Sequence, residues 1–200
     1  MPQNVPIRDS EKIGGAACLD FINTVDWPSL ENERLRTYDD ALAWGVSAGL
    51  LRRGEATGGS GHNAELKALK RLRILLRDVF TGKARSVSAF NSELRRAAGR
   101  VAVSPSGQWS IDGGARTLRY RLLWDAANLF TSARRTKLKM CANPHCGRLF
   151  IDDSRRGNRR WCLMSRCGNR DKVRRYYDRV SGRSAGKRPP RRLRRRRGQP

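Results

Sequence analysis

Four cysteines, Cys141, Cys146, Cys162 and Cys167, fall within 27 residues in the pattern C-x4-C-x15-C-x4-C. Two short pairs of thiols suit a zinc ion, which takes four soft or borderline ligands in a tetrahedron. Pro144 and Gly147, beside the first pair, fit a tight turn that aims both sulfurs inward. The second pair falls at the start of a helix expected to run to Val180, where the helix dipole favours thiolates. Disulfides would require an oxidising compartment, and Met1 to Ser10 is polar without a hydrophobic signal core. Unrelated buried thiols would not repeat the same spacing. One zinc ion is therefore expected, with its coordination sphere filled and a structural role. His145, inside the first loop, is a second-choice ligand and reads as a surface or neighbouring residue. Cys18 lies on an apolar helical face and reads as a small core residue.

The charge of the chain lies around these cysteines. The net charge is +25; residues 134–200 carry 24 Lys and Arg against 4 Asp and Glu, whereas residues 1–133 carry 19 against 14. Such asymmetry points to a polyanion, because each cation placed on a phosphate releases a condensed counterion. Arg155, Arg156, Arg159 and Arg160 crowd the loop before Trp161, and Arg170, Lys172, Arg174, Arg175 and Arg179 decorate the following helix. Val173, Tyr176, Tyr177 and Val180 recur at helical spacing and are expected to be that helix's packing face, leaving the cations outward. These nine cations are the nucleic-acid-binding candidates. Two roles stay open for Arg160 and Arg170, phosphate contact or internal fixing of the module, and other loop arginines could bond carbonyls, Asp152 or Asp153. DNA is the expected partner; the alternative is an RNA-associated protein, since arginine-rich segments often order on RNA.

These residues need a scaffold. Cys18, Leu19, Ile22 and Val25 follow a helical period up to Pro28, within a stretch 11–55 that reads as helical. Thr37 is a plausible N-cap, with Asp39 and Asp40 in the first turn of the next helix. Asn63 to Phe80 is the clearest helix, and Ser88 to Ala98 and Tyr120 to Phe130 read as further ones. Val101–Val103 and Trp109–Ile111 around Pro105 and Gly107 predict a β-hairpin. The fold class expected is mainly α with a small β-hairpin. Its domains are a helical unit over 1–133, a zinc-bound module of hairpin or knuckle plus helix over 134–181, and a disordered Arg-rich tail over 182–200. No stretch approaches the roughly 20 apolar residues of a membrane span, so a cytoplasmic protein is the expectation.

Cys141-Ala-Asn-Pro-His-Cys146-Gly-Arg-Leu-Phe150, Arg159-Arg160-Trp161-Cys162 and Cys167-Gly168-Asn169-Arg170 closely resemble the CGNR zinc finger. Gly15 through Thr24, and Tyr38-Asp39-Asp40 through Trp44, resemble the ABATE domain that precedes this finger in bacterial proteins described as stress-induced transcription regulators. The resemblance spans roughly residues 13–180; it implies zinc at the four cysteines and DNA binding. It also suggests that Asp20, Asn23 and Thr24, polar residues in an apolar helical stretch, line a pocket for a small ligand. The competing reading for these three is capping and internal hydrogen bonding. No P-loop, dinucleotide-binding glycine pattern, G-x-S-x-G or H-E-x-x-H occurs, and no enzyme is expected.

Overall fold

The computed structural model describes residues 12–181, apart from Pro28, residues 56–61, Ser104, Ser106, Gln108 and Asp112. The Arg-rich stretch 182–200 lies outside the described residues. Six α-helices and two antiparallel hairpins follow in the order α1 (Ala17–Ile22), α2 (Tyr38–Ser47), α3 (His62–Phe80), α4 (Ala84–Ala98), β1 (Val101–Val103), β2 (Trp109–Ile111), α5 (Thr117–Thr131), β3 (Leu138–Met140), β4 (Leu149–Ile151) and α6 (Asn169–Val180). Val101 pairs with Ile111, and Leu138 pairs with Ile151. No helix among the described residues is long and apolar enough to cross a membrane.

Helix α3 presents Leu66, Leu69, Leu72, Leu76 and Val79 to one core, at the spacing its sequence predicts. Helix α5 packs against α1, α3 and α4. Leu118, Leu122, Leu123 and Ala126 of α5 are fully buried there, as are Leu19, Phe21 and Ile22 of α1. Phe21 meets Trp44 of α2 at a ring-centroid separation of 5.2 Å. Thr37 caps α2 as expected. Its Oγ1 accepts from the Asp40 amide at 3.1 Å while Asp40 accepts from the Thr37 amide at 3.0 Å, which satisfies two end groups at once.

Helix α1 is shorter than the period of its apolar residues predicts. It stops at Ile22, and Val25 is buried from an irregular segment. The cause lies in three side chains, two of which supply donors to its last turn. Thr24 Oγ1 donates to the Phe21 carbonyl at 2.7 Å and Trp27 Nε1 to the Ile22 carbonyl at 2.9 Å, so the backbone needs no further helical turn. The third, Asn23, turns away to the second hairpin. Helix α4 begins four residues before the predicted Ser88, in a first turn that has no buried residue and so no apolar period to announce it.

Strand β4 joins the two halves of the structure. Its side chains alternate between faces, as a strand requires. Leu149 and Ile151 enter the core of the helical unit, and Phe150 enters a second, smaller core with Ile13, Cys141, Cys162 and Cys167. Ile13 comes from the segment before α1, so the small core is built from both ends of the described chain.

Candidate metal centre and the cations around it

The β3–β4 hairpin carries the first cysteine pair in its loop. Cys141 follows β3 and its amide donates to the Arg148 carbonyl at 2.9 Å, while the Cys146 amide turns back to the Asn143 carbonyl at 3.0 Å. Gly147 then takes φ +61°, a left-handed conformation that lets the chain re-enter β4. Of the second pair, Cys162 lies in the irregular segment just before a wide helical turn, Met164–Gly168, which carries Cys167 and leads directly into α6. There the Cys167 amide donates to the Leu163 carbonyl at 3.0 Å. Two bonds tie the pairs together: Ala142 N–H to the Arg160 carbonyl at 2.9 Å, and Cys162 N–H to Cys141 Sγ at 3.4 Å.

The four sulfurs all lie within 4.8 Å of one another, and no other metal-type cluster of His, Cys, Asp or Glu occurs among the described residues. Cys146 Sγ is 3.6 Å from Cys162 Sγ, which is 3.7 Å from Cys167 Sγ. Four Zn–S bonds of about 2.3 Å in a tetrahedron require edges of about 3.8 Å, so the donor set fits one zinc ion. His145 is exposed and stands outside the sulfur cluster. Protonation fits as well. The thiol hydrogen bond from Cys162 pulls Cys146 down to about 5. That same bond, with burial, pushes Cys162 up, and burial beside Cys146 raises Cys167 to about 11. One thiolate is thus easily accommodated and further ones repel it, a charge balance that a bound dication restores.

Around the sulfurs the cations divide into two sets. Arg159 belongs to the interior: its guanidinium donates to the carbonyls of Trp161 at 3.1 Å, Ile151 at 3.4 Å, Ile13 at 3.2 Å and Cys162, and lies 4.3 Å from the Phe150 ring centre. Its amide and Lys139 both donate to buried Asp152, and the Lys139 ammonium with Ser154 holds that carboxyl well below the usual range. The sequence places Arg159 among the phosphate contacts; the structure spends it on bracing the metal loop. Arg174 and Arg175 both grip Asp171, which is buried at the base of α6. Arg155, Arg156, Arg160, Arg170, Lys172 and Arg179 are exposed, with Arg160 lying over Trp161 at 5.2 Å. Apolar Val173, Tyr176, Tyr177 and Val180 are exposed too, contrary to the packing face expected of them.

Asp20, Asn23 and Thr24 do not act as one group. Asn23 is buried and its amide forms two bonds with the main chain of Leu149. Thr24 is buried, accepts from Arg73 at 2.8 Å and donates to Phe21. Asp20 alone borders a cavity of about 260 Å³, shared with Lys12, Gly15, Ala16, Trp44 and Ser47. Its Oδ1 accepts from the Gly14 amide at 2.7 Å, and burial lifts its carboxyl to about 6.

Three contacts between the metal loop and the helical unit escape a reading of the sequence. Arg77 of α3 lies 4.2 Å from the Trp27 ring centre and donates to the Gly147 carbonyl at 2.7 Å. Buried Arg148 reaches Asp26 at 3.3 Å. The Ile151 amide donates to the Gly14 carbonyl at 2.8 Å. The only sequence signal for them is Gly147, whose neighbours in space are far off in the chain. Residues 137–180 match the family model of the CGNR zinc finger. Residues 15–133 match the ABATE model, whose description reads "Putative stress-induced transcription regulator". No curated protein matches the chain.

Proposed function

The chain belongs to the ABATE family and carries a CGNR zinc finger, and from that premise we propose that it regulates transcription by binding DNA through the finger. The observation that carries this reading is the set of exposed cations on a metal-fixed module: Arg155, Arg156, Arg160, Arg170, Lys172 and Arg179. Cations held in one arrangement by zinc suit the regular spacing of phosphates better than a free chain does. Four cysteine ligands leave zinc no open position, which supports a structural role for the metal in this reading. The cavity beside Asp20 supports a further element, a small ligand held by the helical unit. Asn23, one turn further on, bonds the finger directly, which supplies a short path from that cavity to the metal loop.

Fluorescence anisotropy with a labelled duplex tests this, with the zinc-loaded chain at salt between about 50 and 200 mM. Affinity should fall steeply with salt and vanish on chelation, because the metal supplies much of a small module's folding energy. Binding that survives zinc removal unchanged would leave charge alone as its cause.

A further inference from the structure

Helix α6 turns its apolar residues away from the protein. At about 100° per residue, Val173, Tyr176, Tyr177 and Val180 share one arc and Asp171 stands on the opposite side. Asp171 is 7% exposed, whereas these four residues are 54%, 57%, 63% and 68% exposed. Tyr176 and Tyr177 meet edge to face, with ring centres 5.7 Å apart. Lys172 and Arg179 border this arc on one side and Arg170 borders it on the other. An apolar ridge between two cationic rims is the feature to be explained.

Resting on the DNA-binding reading above, we propose that α6 enters the major groove of duplex DNA with Val173, Tyr176, Tyr177 and Val180 against the base edges. Lys172, Arg179 and Arg170 then meet the phosphates on the two sides of the groove. A helix with its side chains is about 10–12 Å across and the B-form major groove is about 12 Å wide, so the ridge reaches the floor as the rims reach the backbones. The apolar target on that floor is the thymine C5 methyl, the one methyl group that the bases present there. Charge complementarity favours this occupant over a second copy of the chain, whose own α6 would bring like charges to both rims. The groove also excludes duplex RNA, whose A-form major groove is too narrow for side chains to read.

The test compares zinc-loaded full chain on two labelled alternating duplexes, dA-dT and dA-dU, which differ only in the thymine methyls. The expected result is binding roughly three- to tenfold tighter to the thymine duplex. The double variant Tyr176→Ala, Tyr177→Ala changes only exposed side chains; it should keep its zinc and its salt dependence and bind the two duplexes alike. Equal binding of both duplexes by the unaltered chain would overturn the groove assignment while leaving DNA binding intact. So would equal affinity for an RNA duplex of the same length, or a dimer in sedimentation that the double variant splits. Absence of any duplex binding by the zinc-loaded chain would instead remove the DNA-binding reading itself.

Discussion

The side-chain amide of Asn23 pairs with the main chain of Leu149 as a neighbouring strand would: Nδ2 donates to the carbonyl at 2.8 Å and Oδ1 accepts from the amide at 3.1 Å. Both groups are buried, so water offers neither a substitute. Replacing Asn23 by Ala leaves a buried amide and carbonyl unsatisfied and should cost about 2–4 kcal/mol, read from urea unfolding of the zinc-loaded protein. Asn23→Asp should be no better, since a carboxylate faces the Leu149 carbonyl with no donor to offer.

Gly147 is confined by its neighbours as well as by its φ of +61°. A Cβ there would lie 2.7 Å from Trp27 Cβ and 3.1 Å from the Trp27 carbonyl. Gly147→Ala therefore pushes the metal loop off the helical unit, and a loss of about 2–4 kcal/mol is expected. Zinc release to a chelator should quicken in parallel; an unchanged release rate would show that the loop tolerates the shift.

Arginines of one loop should behave in opposite ways. Removing exposed Arg155 and Arg156 should weaken duplex binding and lower the slope of log affinity against log salt by about 2, with stability unaltered. Arg159→Ala should do the reverse at first order, destabilising the finger by about 2–4 kcal/mol through four orphaned carbonyls. Paired anisotropy and unfolding measurements on the two variants separate these outcomes.

Asp20 makes stability depend on pH. Burial raises its carboxyl to about 6 from an ordinary value near 4, so the folded chain holds this proton more tightly than the unfolded chain does. Folding therefore loses stability as pH climbs from about 4 to about 6, and the loss stays in full above that. Asp20→Asn keeps an acceptor for the Gly14 amide and has no charge to bury. Its stability relative to the parent chain should rise by about 1–3 kcal/mol between pH 4 and pH 7 in denaturant titrations. A constant difference across that range would contradict the burial argument.

Cys162→Ser should abolish zinc binding and loosen more than the finger. Hydrogen exchange is expected to quicken over residues 138–180 and also at Ile13, Gly14 and Asn23, whose partners lie on β4 and the metal loop. Protection in α3 and α5, buried in the other core, should persist.

What was legible in the sequence was what is encoded locally. Cysteine spacing gives the zinc site, because two short loops suffice to converge four sulfurs, and the family matches agree. Thr37 announces the N-cap of α2, and the leucines of α3 announce its buried face, since both devices act within a turn or two of helix. The length of α1 was not legible: its end is set by Trp27 and Thr24, and by Asn23 reaching residue 149. Nor was the orientation of α6. Its period is correct, but a period gives a face without saying what lies opposite, and Asp171 took the inward side. Arg159 misled for a related reason, as a guanidinium serves carbonyls as readily as phosphates.

Pairing of Gly14 and Asn23 with β4 has a consequence for how the chain is made. During synthesis the segment around Ile13 to Asn23 emerges more than a hundred residues before its partners Leu149, Ile151 and Arg159. Until then α1 has an unfinished edge, and that edge of the helical unit must wait for the hairpin that follows it. Zinc capture by the nascent finger therefore completes α1 from residues made much later, and a shortage of the metal would leave the segment from Ile13 to Asn23 exposed to proteases and chaperones.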